Sequence, residues 1–256
     1  MITNAFAVRS VVERNLIFFR RDWVILVAGF LEPVFWLVGI GAGLSTIVNE
    51  VTFRGEVLTY TAFVAPGLIA VSAMNGAAFD ATFNFYFKLR HTKIYDSVIT
   101  TPVTIGNVVV GEATWSVIRS TAYAAGFLIL TIAFGLISSP WAILIIFVAA
   151  LLGFAISAIG IFATTYVRNW HDFDYFTLVL QVLFIGSATF YPITVYPGWV
   201  QVILQFTPLY HGVALCRSLA VGAPQFADLG HLGVLLVMTA IFGLAANKRL
   251  EKNLLA

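Results

Sequence analysis

Apolar residues gather in six long runs along this chain, at roughly 23–47, 58–82, 104–136, 141–166, 173–191 and 229–246, with short polar stretches between them. A helix crosses a bilayer core with about 20 consecutive apolar residues, so each run predicts a transmembrane helix. The predicted fold class is an all-α membrane protein with six transmembrane helices. The third run is longer than a bilayer needs, and its start is expected to project from the membrane or tilt at the interface. Ahead of the first run, Val8, Val11, Val12, Leu16, Phe18 and Phe19 are mixed with Arg9, Glu13, Arg14, Arg20 and Arg21. That mixture predicts an amphipathic helix over 1–22, lying flat at the membrane surface.

Two connections depart from plain loops. Residues 83–103 are long enough for a short helix, and mix Phe85, Tyr86, Phe87, Ile94 and Tyr95 with Lys88, Arg90 and Lys93, which suits a docking surface as well as a solvated loop. Residues 192–227 are too apolar for a loop, yet Pro192, Pro197, Gly198, Pro208 and Gly212 interrupt them. Two short helices dipping into the outer leaflet fit, because broken backbone at membrane depth must be shielded by protein or water. With no linker and no repeat of solenoid length, 1–256 is expected to form a single transmembrane domain.

Charge orients this pattern. Eleven of the fourteen Lys and Arg residues fall on one side of a six-span arrangement: Arg9, Arg14, Arg20, Arg21, Lys88, Arg90, Lys93, Arg168, Lys248, Arg249 and Lys252. Only Arg54 and Arg217 lie on the other side, and Arg119 lies within a span. Basic loops stay cytoplasmic, so both termini are expected in the cytoplasm of a multi-pass protein. The composition agrees, with 60% hydrophobic and 10% charged residues, against about 25% charged in soluble domains. Some 20 residues with four arginines precede the first run, which does not fit a cleavable signal. The single cysteine, Cys216, leaves no internal disulfide and is expected to pack as a small apolar residue.

Candidate chemistry is sparse. Gly106 and Gly111 carry the spacing of a phosphate-binding loop, but Glu112 and Ala113 stand where such a loop needs Lys and then Ser or Thr. An anion there repels phosphate, so ATP binding by this chain is not expected. Glu32, Asp80 and Arg119 lie in or near spans, where ionisable groups are costly and expected to have partners. Arg119 can pair with Asp80 or Glu32, as a structural ion pair or as part of a transport path. Glu112 sits two helical turns from Arg119, ~10 Å along one helix face. Pro33 predicts a kink, because it cannot donate to the carbonyl of Gly29. Gly39 and Gly43 permit close helix contact. His171, Asp172 and Asp174 match no strong metal motif, and a turn or helix cap explains Asp172 more simply. No catalytic constellation is evident, so the chain is not expected to be an enzyme in its own right.

The ordered set LEPVFWLVGIGAGL (31–44), YTAFVAPGLIAVSAMNGAAFDATF (60–83), TTPVT (100–104) and FYPITVYPGWVQVILQFTPLYHGVALCRSLAVG (190–222) resembles the membrane subunits of type-2 ABC exporters over nearly the whole chain. The nearest subgroup is that of nodulation-factor, lipo-oligosaccharide and drug exporters. The resemblance implies two six-span subunits, identical or homologous, in a bacterial cytoplasmic (inner) membrane. Each would dock a separate ATPase that binds ATP and Mg. It implies that 2–21 form the interfacial helix and that 86–100 form a coupling helix, with Lys88, Leu89, Arg90, Lys93, Ile94 and Tyr95 as the ATPase-docking residues. It further implies that 192–220 form re-entrant helices near the outer end of the path, with Pro208 and His211 in a P-L-x-H stretch and Arg217 at a commonly basic position. The rival expectation is an ion-coupled secondary transporter or channel using Glu32, Asp80 and Arg119, against which no inverted repeat is evident.

Overall fold

The computed structural model describes residues 5–21, 31–48, 50–98 and 100–255. Trp23, Gly29 and most of the first half of the first predicted span lie outside them.

The N-terminal helix α1 (Ala5–Arg21) buries a stripe of Ala7, Val11 and Asn15 against the protein. These positions are four residues apart, so they share one helix face. Phe6, Ile17 and Phe18 stay exposed elsewhere on its surface, as an amphipathic interfacial helix requires. The apolar helix α2 (Leu31–Gly41) runs into a π-helical stretch over Leu37–Ala42.

A β-hairpin follows, β1 (Glu50–Phe53) pairing antiparallel with β2 (Glu56–Thr59) in a register that places Phe53 opposite Glu56. The two-residue loop is Arg54–Gly55, with φ of 52° and 89°. Positive φ at both central positions matches the right-handed twist of a hairpin. The all-helical expectation had no place for this hairpin. Its signal is legible afterwards in Arg-Gly set between Val, Thr and Phe.

Among the described residues, four helices are long and apolar enough to cross a membrane: Tyr60–His91, Ile105–Ala133, Pro140–Thr164 and Asp228–Leu254. They correspond to the second, third, fourth and sixth predicted runs. In the first, α3 (Tyr60–Phe79) continues through π-turns at Asp80–Asn84 and Phe87–His91. Thr59 caps its start by accepting from the Ala62 N–H at 3.3 Å. At 1.5 Å per residue the 32-residue helix is ~48 Å long, well beyond the ~30 Å hydrocarbon core. After α4 (Ile94–Val98), Thr104 caps α5 (Ile105–Ala133) in the same way, through the Asn107 N–H. A 3-10 turn at Pro140–Leu144 leads into α6 (Ile145–Thr164).

The fifth run becomes α7 (Asp172–Gly186), a 15-residue helix that buries only Phe173 and Phe184. Two residues past its end lies Ala188, whose φ of 58° is unfavourable for a residue with a Cβ. The broken stretch that follows forms two short helices, α8 (Gly198–Leu204) and α9 (Pro208–Val221). Pro208 occupies the first turn of α9, where its missing N–H costs nothing. Gly222, at φ 82°, closes the helix in the left-handed conformation that glycine tolerates. The last helix is α10 (Asp228–Leu255).

α3 is the central helix and packs against α5, α6 and α9 in one apolar core. A second core, around Phe85, Leu89, Tyr95, Val108, Ile161 and Leu250, sits at the end of the bundle that carries α1 and α4.

Candidate functional site

That second core surrounds an ion network centred on Glu112, whose residue is 3% exposed. Its Oε1 accepts from Arg14 Nη2 at 2.6 Å and from the Tyr95 hydroxyl at 2.9 Å. Its Oε2 accepts from Lys88 Nζ at 2.7 Å and from Asn15 Nδ2 at 2.9 Å. Lys88 also donates to Asn15 Oδ1 at 2.9 Å. One carboxylate thus joins α1, the extension of α3, α4 and α5. Buried charge persists where it is paired and fully hydrogen-bonded, and Glu112 meets that condition with four donors. Burial, and then the Glu112 carboxylate beside it, push the Tyr95 phenol well above its ordinary range, so Tyr95 keeps the proton it donates.

The close approach of α1 depends on Gly111, the residue before Glu112. A Cβ there would lie 2.7 Å from Val11 Cβ. The glycine whose spacing suggested a phosphate loop instead makes room for a helix.

Two turns deeper, Arg119 Nη1 donates to Asp80 Oδ1 at 2.9 Å, the pairing that the sequence offered as one of two choices. Asn84 donates to the same oxygen. Arg119 reaches the Tyr123 hydroxyl through Nη2 at 3.0 Å, and its guanidinium lies over the rings of Phe19 and Phe79 at 5.2 and 5.3 Å. Glu32 is placed elsewhere. It is exposed and accepts from Asn75 Nδ2 at 3.3 Å.

The six predicted docking residues divide by direction. Leu89 and Tyr95 are buried, and Lys88 turns inward to Glu112. Arg90 and Lys93 are exposed, and Ile94 is half-buried. Lys93 has a φ of 49° at the corner between the α3 extension and α4.

At the other end of the bundle, Pro208, His211 and Arg217 share α9 but do not form one cluster. Arg217 is buried and donates to three carbonyls: Phe63 through Nε at 3.1 Å, and Ala188 and Thr189 through Nη2 at 3.0 and 3.1 Å. It also lies 3.8 Å from the centroid of the Phe63 ring. It thereby satisfies carbonyls left over where α7 breaks. His211 Nε2 lies 2.7 Å from the carbonyl of Gln205, which can only accept, so that nitrogen carries a proton. Its Nδ1 is 2.7 Å from His231 Nδ1, and one proton is shared between them. Asp172, considered as a cap, accepts from the backbone N–H of Arg168 and Asn169 at 2.8 and 3.1 Å.

Sequence reasoning missed two partnerships. Glu112 served there to exclude phosphate and was set two turns from Arg119, with none of its four donors named. Arg54, counted only as a loop cation, grips Asp228 through two bonds of 2.6 and 3.0 Å and donates to the Ala223 carbonyl at 2.7 Å. Ser218 Oγ adds a bond to Asp228 at 2.6 Å. The hairpin loop is thereby stapled to the junction of α9 and α10.

Comparison with known proteins adds the family. The model of the ABC-2 type transporter family matches residues 7–221. Nodulation protein J of Rhizobium leguminosarum bv. trifolii is 30% identical over 251 residues, covering 96% of this chain and 93% of that protein. The Nodulation protein J of Rhizobium leguminosarum bv. viciae is 28% identical over 250 residues, with 96% and 94% covered. The probable doxorubicin resistance ABC transporter permease protein DrrC of Mycobacterium tuberculosis is 22% identical over 233 residues, with 88% and 81% covered. A bundle of long apolar helices, an amphipathic helix at its edge and a family match over most of the length agree: the chain belongs to the ABC-2 type transporter family, as an ABC transporter permease.

Proposed function

We propose that this chain is the membrane subunit of an ATP-driven exporter that works with a separate ATPase subunit. It moves an amphipathic lipid-like, saccharide-bearing or drug-like molecule outward across the bacterial cytoplasmic membrane. Six spans, both termini in the cytoplasm and two copies per transporter complete the reading. ATP and Mg belong to the partner. The observation that carries it is the Glu112 network, which ties the exposed corner at Arg90 and Lys93 to two helices longer than the hydrocarbon core. ATP-driven closure of the partner pushes on α4. Tyr95 and Lys88 pass the displacement to Glu112, and α3 and α5 tilt as rods rather than bending locally. The buried Arg119–Asp80 pair fixes the register of those two helices. α8 and α9 dip into the outer leaflet and close the far end of the path, where Arg217 holds the break after α7.

The relatives support the cargo class only by their names: a nodulation protein and a doxorubicin resistance permease. The experiment is reconstitution of the chain with its ATPase in proteoliposomes, reading ATP hydrolysis against added amphipaths. Cargo-stimulated hydrolysis is expected, with Arg90→Glu lowering the stimulation at least fivefold while the basal rate of the ATPase persists. ATP turnover by the isolated chain, or full stimulation after residues 90–97 are replaced by a Gly/Ser loop, refutes the reading.

A further inference from the structure

Between α1, the extension of α3 and α5 lies a cavity of about 310 Å³, lined among others by Arg14, Phe18, Asp80, Lys88, Trp115 and Arg119. Asp80 is 3% exposed and receives both Asn84 and Arg119 on Oδ1, while Oδ2 has no hydrogen-bond partner among the described residues. A buried carboxylate oxygen without a donor is costly, and Asp80 is one of the residues that line the cavity. Among the described residues the charges here do not balance: Arg14, Lys88 and Arg119 face the carboxylates of Asp80 and Glu112, an excess of one positive charge. Lys88 has three N–H bonds and directs two of them to Asn15 and Glu112, leaving a third.

Depth and shape narrow the occupant. Asp80 follows the start of α3 at Tyr60 by twenty residues, or ~30 Å of helix, which is the thickness of the hydrocarbon core. The cavity therefore opens at head-group level. Its volume lies at the lower end of the ~300–1,000 Å³ typical of ligand pockets, room for a head group with its chains outside. Phe18 and Phe87, 65% and 51% exposed, form an apolar rim on which chains can rest.

The geometry points to this cavity as a binding site for an anionic phosphodiester lipid whose head group carries free hydroxyls, as phosphatidylglycerol does. A hydroxyl donates to Asp80 Oδ2, the phosphate accepts from Lys88 and Arg14, and the single negative charge cancels the excess. A choline head group has no donor for Asp80. An ethanolamine head group brings a further cation into a site already positive. The site lies within one copy of the chain. It goes beyond the exporter reading and stands without it.

The test uses the full-length chain in detergent, with the five tryptophans other than Trp115 replaced by phenylalanine, and follows Trp115 emission during titration. Dihexanoyl phosphatidylglycerol is expected to give a saturable shift at least tenfold tighter than dihexanoyl phosphatidylcholine, dihexanoyl phosphatidylethanolamine or free glycerophosphoglycerol. Lys88→Gln weakens that binding tenfold or more. Thr92→Phe, a filling change at an exposed lining position, weakens it likewise without altering thermal unfolding, and decides the matter if Lys88→Gln does not fold. Equal affinity for the choline or ethanolamine lipid overturns the head-group assignment. Equal affinity for free glycerophosphoglycerol overturns the lipid source, and parental binding by Thr92→Phe overturns the location. Neither ATP nor a partner subunit enters, so failure here is distinct from failure of the exporter reading.

Discussion

At the residue scale, the molecule turns on how one carboxylate is satisfied. Glu112→Gln keeps the shape but leaves Arg14 and Lys88 without their counter-charge. Removing one partner of a buried pair costs about 3–5 kcal/mol; since Arg14 and Lys88 are partly exposed, the lower end, about 3 kcal/mol, is expected. Thermal unfolding in detergent measures it, with Glu13→Gln, whose partner Arg9 is exposed, as the silent control. Tyr95→Phe removes one donor to a charged acceptor, worth about 1.5–3 kcal/mol, and changes the pH response. Because the folded phenol titrates above its unfolded value of about 10, its contribution is complete below that pH and is lost as pH climbs toward the raised folded value. The parent should therefore lose more stability than Tyr95→Phe between pH 9 and 11, and parallel pH profiles would contradict the hydrogen bond. Glu112 was visible in the sequence as an anion opening an apolar run. Its partners were not, because they come from three other elements, up to 98 residues away. The Arg119–Asp80 pair was legible as a choice of two because charges inside apolar runs are few and must find each other.

At the element scale, helix ends and helix contacts were the least legible features. The second run was expected to stop near 82 because Lys88 and Arg90 look like loop residues. The helix continues to His91 because Lys88 turns inward to Glu112 and Leu89 is buried, so that only one face of the extension meets water. Its π-turns leave no mark in a hydrophobic pattern. The hairpin was overlooked because four-residue strands are too short for alternation to stand out beside spans of 20 residues or more. The amphipathic start of the chain was legible, and Gly111 explains how that helix is held. Gly111→Val would drive Val11 outward from a 2.7 Å overlap between backbone-fixed positions. The expected outcome is a detached α1 with the bundle intact. Limited trypsin digestion should then cut at Arg14 at least tenfold faster than in the parent, while α3, α5 and α6 stay resistant. Unchanged digestion would mean that α1 tolerates the side chain by shifting along α5.

At the scale of the whole molecule, the exposed surface is not uniform. α10 shows Leu236, Val237, Ile241 and Leu244 to the outside, and α6 shows Phe147, faces that suit lipid chains. α7 differs. Eight of its fifteen residues are exposed and only Phe173 and Phe184 are buried, yet Thr177 and Gln181, four apart and hence on one face, are polar. An amide facing lipid tails leaves its hydrogen-bonding groups unsatisfied at a cost of several kcal/mol. α7 is therefore expected to face a second copy of the chain or the path between copies, which also explains why so short a helix buries so little within its own chain. The native thiol is a convenient blank: Cys216 is buried, and Cys216→Ala gives a cysteine-free background. In that background, Gln181→Cys should cross-link two copies under mild oxidation in membranes, yielding a dimer band on non-reducing gels. Val237→Cys and Phe147→Cys should stay monomeric under the same treatment. Cross-linking through Val237 with Gln181 silent would place α10 between the copies and leave α7 against lipid. The cargo path would then lie elsewhere than beside the break that Arg217 holds.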